Sequence, residues 1–277
     1  MLRTATPSDL DITPRNERFG RDDTPERYWL GGDPIATAFY NALSVTFPLG
    51  EAFFVDSVRA NRDGAPEKLA KEIQAFIKQE VMHTREHVAF NRHVTAQGYD
   101  IAPLEEDLKE TLALTKGRPP VANLASTMAL EHFTAILAHE LLSNPAHLQE
   151  LDSEPARLWR WHALEEIEHK GVAYDTWLHA TRHWSRFKRW RIKALVMLMV
   201  TWRFYNGRKR GMLELLRQDG ITGWKAKFGL ARYAFLRPGM VRKIAGAWIS
   251  FFLPGFQPWN EDDRTLIAAA ERRLALS

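Results

Sequence analysis

After Asp33 the apolar positions fall into four stretches with steps of three and four residues, the spacing of one helix face. Tyr40, Ser44, Phe47, Glu51, Phe54 and Val58 form the first stripe, and Pro48, with Gly50 close behind, predicts a bend in it. The second is the most regular: Leu69, Ile73, Phe76, Glu80, His83, His87, Phe90 and Val94 lie between an Ala65-Pro66 start and Gly98. A third opens at Pro119-Pro120, passes through Leu124, Thr127, Glu131, Thr134, Ala138 and Leu141, and ends near Asn144-Pro145. The fourth follows Ser153-Glu154-Pro155, with Ser153 as N-cap and Pro in the first turn, and puts Trp159, His162, Glu166, His169, Ala173 and Thr176 on one side.

Every stripe is apolar or small toward its ends and carries a carboxylate or imidazole midway. Strand-like alternation and solenoid-length repeats are absent from the sequence, so the fold class is all-α. The architecture expected is a ferritin-like four-helix bundle with a dimetal core over residues 34–182. An extended lead-in, 1–33, contains Pro7, Pro14, Pro25 and Gly31-Gly32. Residues 183–277 should add a basic, aromatic-rich helical region packed on the bundle.

Composition narrows the chemistry. The chain has no cysteine, which excludes disulfides, thiolate metal sites, iron–sulfur clusters and a cysteine nucleophile, so any metal must be held by His, Asp and Glu. Its start is polar and lacks the apolar run of a secretory signal, which places it in the cytoplasm. The net charge of +4 is unevenly distributed: residues 183–277 hold 19 Lys/Arg and 6 Asp/Glu, leaving the first 182 residues acidic.

Four ionised carboxylates facing one core would each be strongly disfavoured and would repel one another. Two divalent cations balance Glu51, Glu80, Glu131 and Glu166. The helical spacing agrees, because residues three apart share a face: Glu80-Val-Met-His83 and Glu166-Ile-Glu-His169 can each offer two donors to one ion. One Glu from each of two helices plus a Glu-x-x-His from each of the other two is the di-iron or di-manganese carboxylate pattern. His162, one turn before Glu166, is a third imidazole ligand or else a donor that orients a ligating carboxylate. The expected metal ligands are therefore Glu51, Glu80, His83, Glu131, His162, Glu166 and His169. His87 and Glu165 are expected around them, with Glu165 replacing Glu166 if the helix is rotated. Glu168 should be solvated or paired with a basic residue, and His132 and His139 should point elsewhere.

The segments EVMHTREH, Trp161-His162-Ala-Leu-Glu165-Glu166-Ile-Glu168-His169 and LPGFQPW resemble a bacterial family described as predicted metal-dependent hydrolases. The ligand positions alone, from residue 51 to 169, are similar to those of the di-iron arylamine N-oxygenases, which carry a third histidine where His162 stands. The first resemblance implies a metal and the second implies iron and dioxygen.

Two activities and one non-catalytic role compete. The leading expectation is a non-haem di-iron oxygenase or oxidase, in which two Fe ions activate dioxygen to oxidise an organic substrate. The alternative is a metal-dependent hydrolase whose metal-bridging hydroxide attacks an ester, amide or phosphoester, with Mn or Zn as alternatives to Fe. The third is a non-catalytic iron-binding or membrane-associated helical protein.

The tail bears on partners. Residues 184–206 mix Trp184, Phe187, Trp190, Leu195, Met199 and Phe204 with six basic residues, and the apolar run Ala194–Trp202 is far short of the roughly 20 residues of a membrane span. Basic amphipathic helices over 184–243 suit the interface of an anionic membrane, with peripheral attachment at its inner face and a lipid-like or acyl small-molecule substrate. The alternative is an apolar face capping the bundle beneath a solvated basic one. No nucleic-acid reading motif accompanies the charge. A homodimer is expected, and an electron donor wherever the chemistry consumes electrons.

Overall fold

A computed structural model describes residues 6–20 and 26–275, and residues 1–5 and 21–25 of the expected lead-in lie outside the described residues. The described residues are all helical in their regular structure. Helices α1 (Pro34–Ser44) and α2 (Phe47–Arg59) share the first stripe, α3 (Glu67–Ala96) the second and α5 (Pro120–Ser143) the third, while α6 (Glu154–His169) and α7 (Val172–Ala180) divide the fourth. Helix α2 packs on α3 and α5, and α6 packs on the same two, so four helices enclose one core.

Two expected helices are broken. The first ends at Ser44 rather than bending at Pro48, because a helical proline clashes with the carbonyl four residues earlier, here that of Ser44. Pro48 instead occupies the first turn of α2, where its missing N–H costs nothing. The fourth breaks just after His169. Gly171 lies in that break with the Trp259 indole so close that a Cβ would fall 3.1 Å from its nitrogen. Ser153 is at the N-cap position of α6 but makes no capping hydrogen bond.

Helix α4 (Ala102–Ala113) has no counterpart among the expected segments. It buries only Leu104, so its sequence lacks the apolar stripe that marks a packed helix.

The lead-in is a strap. The backbone amides of Thr13 and Arg15 donate to Glu168 and Glu165 on α6, and that of Phe19 donates to Glu86 on α3. Phe19, Trp29 and Leu30 of the same segment are buried and anchor it to the core.

Beyond the bundle run α8 (Arg186–Gln218), α9 (Gly223–Phe235), α10 (Met240–Ser250) and α11 (Arg264–Ala275). Helix α8 lies on α1 and α5, α10 on α5 and α9, and α11 on α6. The Asp262 carboxylate accepts from the Arg264 amide at the start of α11. Among the described residues no helix is long and apolar enough to cross a membrane. Two apolar clusters result, one around Tyr40, Trp161 and Leu215, the other around Phe76, Leu124, Trp177 and Phe251. Side chains of the polar centre touch both: His83 meets Trp161 edge to face at 4.9 Å and His169 meets Phe76 at 4.8 Å.

Candidate metal centre

The structure brings Glu51 of α2, Glu80 and His83 of α3, Glu131 of α5, and His162, Glu166 and His169 of α6 to one place, all of them nearly inaccessible to solvent. His169 Nε2 lies 3.2 Å from Glu80 Oε1, 3.4 Å from Glu131 Oε2 and 3.6 Å from Glu166 Oε2. Around the other oxygen of Glu166, His162 Nε2 is at 3.2 Å and His83 Nδ1 at 3.6 Å. Glu166 thus spans two adjoining groups of donors, one containing His83 and His162 and the other Glu80, Glu131 and His169. Ligand atoms of Glu51, Glu80 and His83 also lie within 4.8 Å of one another and join the two groups.

Buried polar atoms are normally hydrogen-bonded. Here nine are not: one carboxylate oxygen of Glu51, both of Glu80, both of Glu131 and one of Glu166, with His83 Nδ1, His162 Nε2 and His169 Nε2. All seven expected ligands contribute to this set, whereas His87 and Glu165 contribute nothing. Oxygen and imidazole donors left unpaired in a common core have the chemistry that divalent cations satisfy, so the residues present fit a metal pair.

The remaining ring nitrogens are tied down, which fixes the free lone pairs. His83 Nε2 donates to Glu165 Oε2 at 3.0 Å. His169 Nδ1 donates to Gln79 Oε1 at 2.9 Å, an orientation set because Gln79 Nε2 donates to Glu168 at 2.8 Å. For His162 the proton positions follow from the far end: Ser44 Oγ donates to Asn91, so it accepts from His87 Nδ1, and His87 Nε2 must accept from His162 Nδ1 at 3.0 Å. Each of the three histidines therefore turns its remaining ring nitrogen toward the core, held by a hydrogen bond on the other side of the ring. Burial disfavours a charged His169, but Glu166 and Glu131 outweigh it and raise this histidine well above its ordinary value, so a cation would displace the Nε2 proton. Thr84 fixes Glu51 in the same way at 2.8 Å.

Charge explains the rest. Burial, reinforced by neighbouring carboxylates, pushes Glu51 and Glu80 well above the usual carboxylate range, and burial raises Glu131 to about 7. Burial also disfavours the charge on Glu166, but His169 and His162 outweigh it and hold Glu166 well below that range. Burial and the neighbouring His162 keep His83 and His87 neutral. Glu165 rises to about 7 through burial, with Arg15 opposing.

Arg15 was invisible as a site residue. It sits in the strap, far from the helical motifs, yet its guanidinium grips Glu168 at 2.7 and 2.9 Å and lies 3.5 Å from Glu165. The expectation that Glu168 pairs with a basic residue thus has its partner, although Glu168 is buried rather than solvated. Gln79, Thr84, Ser44 and Asn91 were also missed, since a polar residue on a helix face carries no signal until its partner is known. Glu165 does not replace Glu166: it points to His83 and the strap. His132 turns to the Ala247 carbonyl and His139 to Asp263, away from the centre.

An all-helical chain with a buried, unsatisfied carboxylate–imidazole cluster is of the metal-binding class. The chain belongs to the family described as predicted metal-dependent hydrolase, whose model matches residues 13–262. No curated protein and no solved structure matches the chain. The family description overturns the expected oxygenase or oxidase activity and favours the hydrolase alternative. The physical reason is that carboxylate–imidazole sets serve Lewis-acid chemistry as well as redox chemistry, and a helical fold does not choose between them.

Proposed function

We propose that the protein is a hydrolase that holds two divalent ions with Glu51, Glu80, His83, Glu131, His162, Glu166 and His169. The unpaired atoms of these seven buried side chains, all turned to one core, carry the proposal. When bound, such ions polarise a carbonyl or phosphoryl group and lower the pKa of water, the chemistry that ester, amide or phosphoester cleavage requires. The donor set, without sulfur, suits Fe, with Mn or Zn as alternatives.

The chain's own residues supply the frame. Glu165, Gln79 and His87 hold the three imidazoles in register, and Arg15 anchors two of the supporting carboxylates to the strap. Phe47 stacks on His162 at 4.6 Å and, with Trp161 and Phe76, keeps bulk water from the centre.

The test is to quantify metal in the purified protein, strip it with a chelator, and assay ester, amide and phosphoester probes before and after adding back each metal. Activity should vanish with the metal and return with it. Equal hydrolysis by the stripped protein would refute the proposal.

A second proposal concerns where substrate is met. Helix α8 exposes Phe187, Trp190, Leu198 and Trp202 along one side, and α9 exposes Trp224 and Phe228; Trp202 and Trp224 are 72% and 77% accessible. Basic residues flank them, including Arg186, Lys188, Arg189 and Lys225. Aromatic side chains among cations suit an anionic lipid surface, where the rings enter the interface and the cations meet headgroups.

A further inference from the structure

Helices α9 and α10 pack on each other but leave a gap toward α8. Between them lies a chamber of about 480 Å³, within the range of small-molecule sites, floored by Phe133, Phe204, Ile244 and Trp248 and almost wholly apolar. Phe39, Leu137 and Met240 line its inner end, and these three also line a narrow second cavity whose far wall is His162 and Glu166. Phe39, Leu137 and Met240 are thus the wall shared by the chamber and the cavity at the metal centre.

Arg208 is one of three cations on the lining and the one that reaches the α1–α2 corner. Its guanidinium donates to the Ala42 carbonyl and to Thr46 at the corner between α1 and α2, but Nε has no hydrogen-bond partner. No carboxylate forms an ion pair with it among the described residues; Asp107, whose charge reaches it through space, pairs instead with Arg210 at 2.6 Å. A half-buried cation with no ion-pair partner beside an apolar chamber favours an anion. Its position is informative, because Thr46 adjoins Phe47, the ring stacked on His162. The cation lies toward the metal end.

We infer that this chamber binds a single-chain amphiphile with an anionic head, the hydrocarbon between α8, α9 and α10 and the polar end at Arg208. The role of this ligand as substrate rests on the hydrolase proposal, whereas its binding does not. Lys209 and Lys227, on the chamber wall and without ion-pair partners among the described residues, add positive charge that favours entry of such a molecule.

Titration of hexadecanoate, octanoate and hexadecanol into the full metal-loaded chain tests this. Hexadecanoate should bind more tightly than octanoate, each added methylene contributing up to about fourfold, and more tightly than the uncharged alcohol. Arg208→Met should weaken hexadecanoate roughly tenfold or more while leaving hexadecanol unchanged. Ala234→Trp, which fills the chamber from α9, should weaken both and leaves the α1–α2 corner intact. Absence of hexadecanoate binding, or binding that neither substitution alters, would overturn the inference. A parallel assay separates the two proposals: hexadecanoate binding with no metal-dependent cleavage of hexadecanoyl ester, hexadecanoyl amide or hexadecyl phosphoester probes sinks the hydrolase, and cleavage of an acetyl ester without hexadecanoate binding sinks the chamber.

Discussion

The His83 ring gives Nε2 to Glu165 at 3.0 Å and leaves Nδ1 unpaired toward Glu166. A carboxylate behind an imidazole fixes its tautomer and makes the free nitrogen a better donor. Glu165→Gln keeps the shape but replaces the acceptor charge with an amide that can turn either end to His83. Metal affinity should fall by about 10- to 100-fold with the helical content unchanged, a loss of the size seen for such outer partners. Equilibrium dialysis against a competing chelator reads the change, and unchanged affinity would remove Glu165 from the site.

Glu131 and His169 lie on the side of the centre that lacks His83 and His162, so their loss tests the pair of positions separately. Glu131→Ala or His169→Ala should abolish activity and reduce bound metal, because each removes a donor with no replacement nearby. His162→Ala should keep the fold and weaken one ion more than the other. Full occupancy in Glu131→Ala protein, measured by elemental analysis, would show that the ligands have been misassigned.

The strap explains why part of this site was legible in the sequence and part was not. Glu80/His83 and Glu166/His169 announce themselves because helix geometry turns a spacing of three into spatial proximity. Their supports come from other elements: Arg15 acts across 153 residues to reach Glu168, and Ser44 meets His87 across a helix boundary. No local period encodes such pairings. The helix breaks were missed for a related reason. Pro48 announces a disruption, but its clash with the Ser44 carbonyl moves the break upstream, while the close packing of Trp259 on Gly171 brings in a residue from the far end of the chain that no local pattern names.

The lipid-surface proposal predicts binding that depends on both charge and aromatic side chains. The protein should co-sediment with vesicles rich in anionic lipid and not with zwitterionic ones, and salt should weaken the association because exposed charges are screened. Replacing Trp202 and Trp224 together with Ala should reduce partitioning by roughly tenfold or more, given the apolar area each ring can bury. These residues support no core contact, so the melting temperature should hold. Indifference of the protein to vesicles of either charge would end this proposal.

Lys193 offers a test of stability independent of the metals. It enters the interior from α8 and is 4% accessible, with its ammonium 4.7 Å from the Phe256 ring and 4.8 Å from that of Phe251. The rings favour the cation in part, but burial dominates and lowers its pKa to about 8. Because the folded value lies below the unfolded one, the folded state carries a penalty at neutral pH, where lysine is charged in both states. As pH rises above about 8 the folded protein releases the proton first, and the penalty is relieved until the unfolded chain titrates near about 10.4, a gain of about 3 kcal/mol. Lys193→Met removes the charge and keeps most of the volume. The variant should therefore melt above the wild type at pH 7, and the gap should narrow steadily toward pH 10. Melting curves across that range, taken as the difference between the two proteins, cancel the groups that do not feel Lys193, and His132, which does, titrates near 4, below the range measured. A gap that stays constant with pH would mean that the ammonium is solvated and that burial costs it nothing.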